Sequence, residues 1–382
     1  MANLRGDAVS LPPAAYIARL ERVRTALVEH SVDALLLSIG ADLPWCIGYE
    51  AMANERPTVL VLPSDALPTL LIPLLEAPRV RQFSDLFALR PWRETEDAIA
   101  IVSELVGKRR TLAISDRAWA SLLLGLQSRI AAGSFLAAST IMSPLRRRKD
   151  HAELAALAAA GEGARRATEA ILMGEVALIG RRELDIARDI GELLMAEGHS
   201  RVGSPLVASG PNSASPHHSS GARTILPNEP VVFDFGGTWA PSGGFGYSSD
   251  TSRTIVTGPP SAEFAHVYSI VQAAQQAALQ AAVAGTSCSN VDQAARKVIE
   301  DAGFGPAFVH RTGHGIGLET HEEPYIVAGN ETLLAEGDAF SVEPGIYLEG
   351  QFGVRIEDVV LLTDTGSRVC NMASRDLTVV EA

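Results

Sequence analysis

The stretch Val231-Val232-Phe233-Asp234-Phe235-Gly236-Gly237 places an aspartate inside a run of β-branched and aromatic residues that ends on two glycines. Such a run predicts a buried strand, and the glycines permit close approach of a neighbouring backbone. A carboxylate in that setting is tolerable when it is paired or bound to a cation. The stretch Asp250-Thr251-Ser252-Arg253-Thr254-Ile255-Val256 reads as a second strand, whose hydroxyls can orient its own aspartate. Two aspartates on neighbouring strands are placed to bridge one pair of ions.

Three further segments carry matching chemistry. His310-Arg311-Thr312-Gly313-His314-Gly315-Ile316-Gly317-Leu318-Glu319-Thr320-His321 is glycine-rich and holds three histidines. One imidazole can ligate a metal while the others hold substrate or move protons. Glu343 lies in Phe340-Ser341-Val342-Glu343-Pro344-Gly345, where Pro-Gly turns the chain and exposes the carboxylate at a strand end. In Val354-Arg355-Ile356-Glu357-Asp358-Val359-Val360-Leu361, strand alternation puts Arg355 and Glu357 on one face. Asp234, Asp250, His314, Glu343 and Glu357 together form a hard, oxygen-rich ligand set. It suits two divalent ions, Mn²⁺ foremost, with Co²⁺, Fe²⁺ and Zn²⁺ also accepted, better than a thiolate-bound structural zinc. Taken singly, each residue has a plainer reading as a hydrogen-bonded aspartate, a structural histidine or a turn; the joint pattern carries the inference.

These blocks resemble the pita-bread-fold metallopeptidases that include Xaa-Pro dipeptidase (prolidase), aminopeptidase P and methionine aminopeptidase. The matching text is Phe233–Gly237, Ser249-Asp250 to Arg253-Thr254, Gly313–Gly317, Val342–Gly345 and Arg355–Asp358. The segment Ser209-Gly210-Pro211-Asn212-Ser213-Ala214-Ser215-Pro216-His217-His218 resembles the family's substrate-histidine segment, with His217 the better match. There are two departures: additional residues around Trp239–Gly244, and Ser252 where the family commonly has Thr. Neither removes a ligand.

The resemblance implies hydrolysis of the peptide bond preceding proline by water activated between two metal ions. It implies Glu343 as the proton shuttle, with His217 and His321 as catalytic and substrate-binding residues; His310 reads as a substrate contact, and Arg355 as a support for Glu357 or a partner for a substrate carboxylate. An Xaa-Pro dipeptidase is the expected activity. Aminopeptidase P is the alternative, ahead of a metal-free creatinase-like amidinohydrolase or a non-catalytic binding protein. A homodimer and a small proline-containing peptide substrate follow from the same resemblance.

The 382 residues are long for one core, and two domains are expected. Residues 1–145 alternate helical and strand-like runs, among them Val32–Leu37, Thr58–Leu62, Thr69–Ile72 and Thr111–Ile114. That pattern predicts an α/β domain, creatinase-like by resemblance, with Trp45 and Tyr49 at a strand end. Residues 146–382 read as α+β, with helices at His151 to about Met173, Glu183–Glu197, Glu263–Ala284 and Val291–Ala302, the last with Ser289 as N-cap.

A formal charge of −13 argues against nucleic acid or an anionic membrane as partner. The short basic runs Lys108–Arg110 and Arg146–Lys149 read as solvated loop ends or a linker. Three scattered cysteines, no apolar h-region at the N-terminus and no spanning apolar run favour a cytoplasmic protein.

Overall fold

The computed structural model describes residues 13–80, 86–130, 133–240 and 246–380. The chain is α/β and then α+β, divided into two compact units between Arg146 and Arg147.

The N-terminal unit is built on a six-stranded sheet in the order Ala88–Trp92, Thr69–Pro73, Val59–Pro63, Ala34–Leu37, Thr111–Ile114, Ser134–Ala137. The central strand reads Ala-Leu-Leu-Leu with every residue buried, as expected of a strand covered on both faces. It pairs antiparallel to Val59–Pro63 and parallel to Thr111–Ile114. Helices Ala98–Val106 and Ala120–Arg129 pack Val102, Val106 and Leu126 against Leu36, Val61 and Leu112 of the sheet.

Trp45 departs from expectation, since it lies in the short helix Asp42–Ile47 rather than at a strand end. The Arg19 guanidinium stacks 4.8 Å from its ring centroid and Arg19 Nη1 donates to its carbonyl, so packing and a cation–π contact hold it in the core. Gly48 ends this helix at φ 71°, and a Cβ there would lie 2.7 Å from Tyr16 Oη, so glycine is required on both counts.

The C-terminal unit opens on helix His151–Leu172, whose N-cap Asp150 forms a reciprocal capping box with Glu153. Two sheets follow. One has the order Thr378–Val379, Tyr247–Val256, Pro230–Trp239, His199–Val202, and Leu206–Ser209 also pairs with Pro230–Trp239. The other has the order Glu322–Ile326, Gly313–Gly315, Ala339–Val342, Asp358–Thr363, Gly366–Val369. Helices His151–Leu172 and Glu183–Ala196 supply the core beside the first sheet, through Ala164, Ile171, Ile186 and Ile190 against Val231, Phe233 and Ile255. Helices Ala262–Ala281 and Cys288–Asp301 serve the second sheet in the same way, through Val271, Val291 and Ile299 against Phe340, Val342 and Val360.

Three local expectations are corrected. The Val354–Leu361 run is two strands, Phe352–Arg355 in a hairpin with Gly345–Leu348 and Asp358–Thr363 in the second sheet, broken at Ile356 and Glu357. The helix from Cys288 is capped by Ser287, whose side chain accepts from the Asn290 N–H, while Ser289 Oγ accepts from Gly329 N instead. The basic run at 146–149 is not a solvated linker: Arg147 and Arg148 pair with buried Asp338, and Lys149 is buried with Glu322 at 2.5 Å. Residues 143–145 lie within helix Ser139–Arg147. The additional turn residues 241–245 fall outside the described residues. Among the described residues no helix is long and apolar enough to cross a membrane.

Candidate metal centre

The long hairpin Pro230–Trp239/Tyr247–Val256 aligns Asp234 with Ser252 and Asp250 with Gly236. Side chains alternate along a strand, so Asp234, Asp250 and Ser252 share one face. Gly236 makes the close pairing possible, because a Cβ there would sit 1.9 Å from the Ser249 carbonyl oxygen. Ser252 then joins the hairpin to the last acid: Glu357 N donates to Ser252 O at 3.0 Å, and Ser252 Oγ donates to Glu357 Oε2 at 2.8 Å. The break after Arg355 lets the chain turn Glu357 onto this bridge.

His314 enters from Gly313–Gly315, a short strand between Glu322–Ile326 and Ala339–Val342. Its Nδ1 lies 3.1 Å from the Gly315 carbonyl, which fixes the Nδ1–H tautomer and presents Nε2 to the site. Nε2 lies 3.2 Å from Glu343 Oε1 and 3.7 Å from Asp250 Oδ2. Ser341 Oγ accepts from His314 N and donates to Glu343 Oε1 at 3.1 Å, tying ligand-type residues of two adjacent strands together.

Three overlapping groups result, Asp234/Asp250/Glu357, His314/Glu343/Glu357 and Asp250/His314/His321, each with ligand atoms within 4.8 Å of one another. Crowding shows in the acids themselves. Burial, then the Asp234 charge, holds the Asp250 carboxyl well above its ordinary range. Burial, then the Asp250 charge, does the same to Glu357. Glu343 is pushed up by burial but pulled below its usual value by the hydrogen bond and charge of His314. Such a cluster of buried carboxylates is relieved by cations, and an all-oxygen group beside a mixed oxygen and imidazole group fits two divalent ions.

The groups line a cavity of about 520 Å³ that also takes in His217, His310, His321 and Arg355. His217 makes no hydrogen bond among the described residues, whereas its neighbour His218 points to Glu183 at 2.9 Å. The His321 ring meets that of His314 at 4.0 Å, nearly perpendicular, and burial with the His314 charge pushes its pKa down to about 4. His310 is engaged at both nitrogens, Nδ1 with Arg311 O and Nε2 with Tyr347 Oη. Arg355 is 3 % exposed and donates to Asp234 Oδ2, Ser252 Oγ, Tyr347 Oη and Pro216 O. Its partner is therefore Asp234 rather than Glu357.

Sequence reading missed Glu183. Its buried carboxylate accepts from Ser209 N and Oγ, Asn212 Nδ2, His218 Nε2 and Gly221 N, and so ties down the loop that carries His217. The available signal was an acid at the first turn of a helix, which reads equally well as an ordinary macrodipole partner.

Residues 155–364 match metallopeptidase family M24, and residues 19–147 match the creatinase/prolidase N-terminal domain. The crystal structure of dipeptidase PepE from Mycobacterium ulcerans superposes with a TM-score of 0.90 at 41% identity, covering 97% of this chain and 100% of that one. A recombinant prolidase from Thermococcus sibiricus gives a TM-score of 0.89 at 34% identity over 96% of this chain and 99% of that one. An Xaa-Pro dipeptidase from Lactobacillus delbrueckii subsp. lactis is 34% identical over 94% of this chain and 98% of its own. With the pita-bread order of elements and this cluster of acids, the chain belongs to metallopeptidase family M24, behind a creatinase/prolidase N-terminal domain.

Proposed function

We propose that the chain is an Xaa-Pro dipeptidase that works with two divalent ions, Mn²⁺ foremost. The observation that carries the proposal is the convergence of Asp234, Asp250, His314, Glu343 and Glu357 in overlapping groups on the wall of one cavity. Asp234, Asp250 and Glu357 would hold one ion, and His314, Glu343 and Glu357 the other. Two ions so held would supply a water of lowered pKa and a Lewis acid for the scissile carbonyl.

The protein's own groups do the rest. Glu343 takes the proton from the attacking water and returns it to the proline nitrogen as the C–N bond breaks. His217 and His321, both facing the cavity, donate to the oxygen on which charge develops. Arg355 aims the Asp234 carboxylate through its hydrogen bond, and Tyr347 braces both Arg355 and His310. A metal-free creatinase-like hydrolase would have no use for four clustered carboxylates, all retained here.

We further assign a homodimer in the cytoplasm acting on small peptides. The three cysteines are buried and free, in keeping with a reducing compartment. Light scattering that finds only monomer would remove the dimer.

The test is proline release from an Xaa-Pro dipeptide by stripped, Mn²⁺-reconstituted protein, run beside an Xaa-Pro-Xaa tripeptide. Metal-dependent cleavage of the dipeptide supports the reading. Preferred cleavage of the tripeptide reassigns the chain as an aminopeptidase, and failure on both by metal-loaded protein refutes the proline specificity.

A further inference from the structure

Glu357 stands where the chain leaves one strand and has not yet entered the next, among acids whose ligand atoms lie within 4.8 Å of one another. Like charges at that spacing repel, and a carboxylate on a loose turn would swing away from Asp234 and Asp250. Its main chain is held instead by three consecutive residues of the strand Tyr247–Val256. Ser252, paired with Asp234 on one side, bridges to Glu357 on the other. Thr254 Oγ1 accepts from Arg355 N at 3.0 Å and donates to Arg355 O at 2.9 Å. Arg253, between them, points to the opposite face of the strand and is not among the residues that line the cavity.

The Arg253 side chain is 2 % exposed, and each of its five N–H groups meets an acceptor. Nη1 donates to Ser252 O at 2.9 Å and to Glu357 O at 2.6 Å. Nη2 donates to Asp358 Oδ1 at 2.8 Å and to Ala373 O, and Nε to Ser374 O. One rigid plane therefore joins the strand, the break and residues 373–374. Since Glu357 N already donates to Ser252 O, the peptide groups on both sides of the Glu357 Cα are pinned. Asp358, the next residue, is fixed from its other oxygen by Gln275 Nε2 and Arg375 Nε.

We propose, resting on the two-metal reading above, that Arg253 is a positioning residue of the metal centre. It holds the main chain at Glu357 so that this carboxylate, common to two of the ligand groups, is in place before an ion arrives. Order supplied by the fold is not drawn from the binding of the ion, so metal affinity depends on a side chain that touches neither ion nor substrate.

The experiment titrates the full Mn²⁺-loaded chain with a chelator of known affinity, in wild type, Arg253→Met, Arg253→Lys and Arg375→Met. Arg253→Met should raise the Mn²⁺ dissociation constant by about tenfold to a hundredfold. Arg253→Lys should fall between it and wild type, because an ammonium restores the charge without the planar fork. Arg375→Met removes a cation from Asp358 but leaves the Glu357 carbonyl held; it should lower the unfolding temperature and keep the wild-type constant. With an Xaa-Pro dipeptide, the activity that Arg253→Met loses at limiting Mn²⁺ should return at saturating Mn²⁺, with kcat within about threefold of wild type. Circular dichroism establishes that each variant is folded; if Arg253→Met fails to fold, Arg253→Lys and Arg253→Gln report the same constant.

An unchanged Mn²⁺ constant in the folded Arg253 variants overturns the assignment while the two-metal reading stands. So does an equal weakening in Arg375→Met, or a loss of kcat that saturating Mn²⁺ leaves in place. A wild type that holds no Mn²⁺ overturns the two-metal reading, and this assignment with it.

Discussion

The two units treat charge in opposite ways. Among the described residues of the N-terminal unit, Arg19 and Glu76 are the buried charged side chains, and its sheet is lined by aliphatic residues such as Leu35, Leu36, Leu60 and Leu70. The described residues of the C-terminal unit include eleven buried Asp, Glu, Lys or Arg side chains. Burying a charge costs several kcal/mol unless it is matched, so one unit is built for stability and the other carries a load that stability alone does not explain. Part of that load is matched inside the protein, as in Arg253 with Asp358 and Lys149 with Glu322. Asp250 and Glu357, with the half-buried Glu343 beside them, have no matching protein cation beyond His314 and the Arg355 already given to Asp234. Unmatched buried charge is the mark of the site.

The comparison is open to attack at several points. The largest effect is expected from Glu343→Gln, which keeps shape and removes the proton carrier: kcat should drop by about a thousandfold with fold and metal content preserved. Near-normal turnover by the loaded variant would break the assignment of Glu343. In the other unit, Leu36→Ala should cost about 3 kcal/mol in denaturant unfolding, as a cavity in an aliphatic core does. Turnover per folded molecule should change less than threefold. A large loss of turnover would show that the N-terminal unit takes part in the chemistry.

His199 sharpens the contrast through pH. Burial pushes its pKa down to about 4, and its nitrogens face Leu194 O and Ser249 Oγ. The unfolded chain takes up a proton near the ordinary histidine value and the folded one does not until near pH 4, so stability is full above about pH 6.5 and declines as pH falls through this window. At about 1.4 kcal/mol per unit, the loss by pH 4 is roughly 3 kcal/mol. In chelated protein, the stability difference between pH 7 and pH 4 should shrink by that amount in His199→Gln; an unchanged difference would remove His199 as its source.

The smallest effect concerns Glu183. Replacing it by Gln sets an amide N–H against donors that now meet a carboxylate, which should cost about 2 kcal/mol. By loosening the loop that carries His217, the change should raise KM more than it lowers kcat. A pure stability loss with unchanged KM would reduce Glu183 to a structural role.

Much of this was legible in the sequence, for identifiable reasons. The helix from His151 carries its own cap and alanine-rich body, and the strand runs at 231–237 and 250–256 announce themselves by composition. The acids stand out because an acid inside an apolar strand is a local contradiction. What escaped reading depends on distant partners. Lys149 looks solvated until Glu322, far along the chain, is brought beside it. The break at Ile356 and Glu357 is invisible to alternation, because both flanking runs are apolar and only pairing with two different neighbours separates them. Glu183 has five donors drawn from residues 209–221, none adjacent in sequence. Arg355 was read with its near neighbour Glu357, whereas its charge goes to Asp234 on another strand.

The most direct measurement is metal stoichiometry by mass spectrometry on wild-type protein and on Asp250→Asn and Glu357→Gln, each dialysed against Mn²⁺. The account predicts two ions bound per wild-type chain and fewer in both variants, with the fold intact by circular dichroism. A wild type that binds no ion, or variants that bind as many as wild type, would contradict the claim that this cluster of buried acids is a two-metal centre.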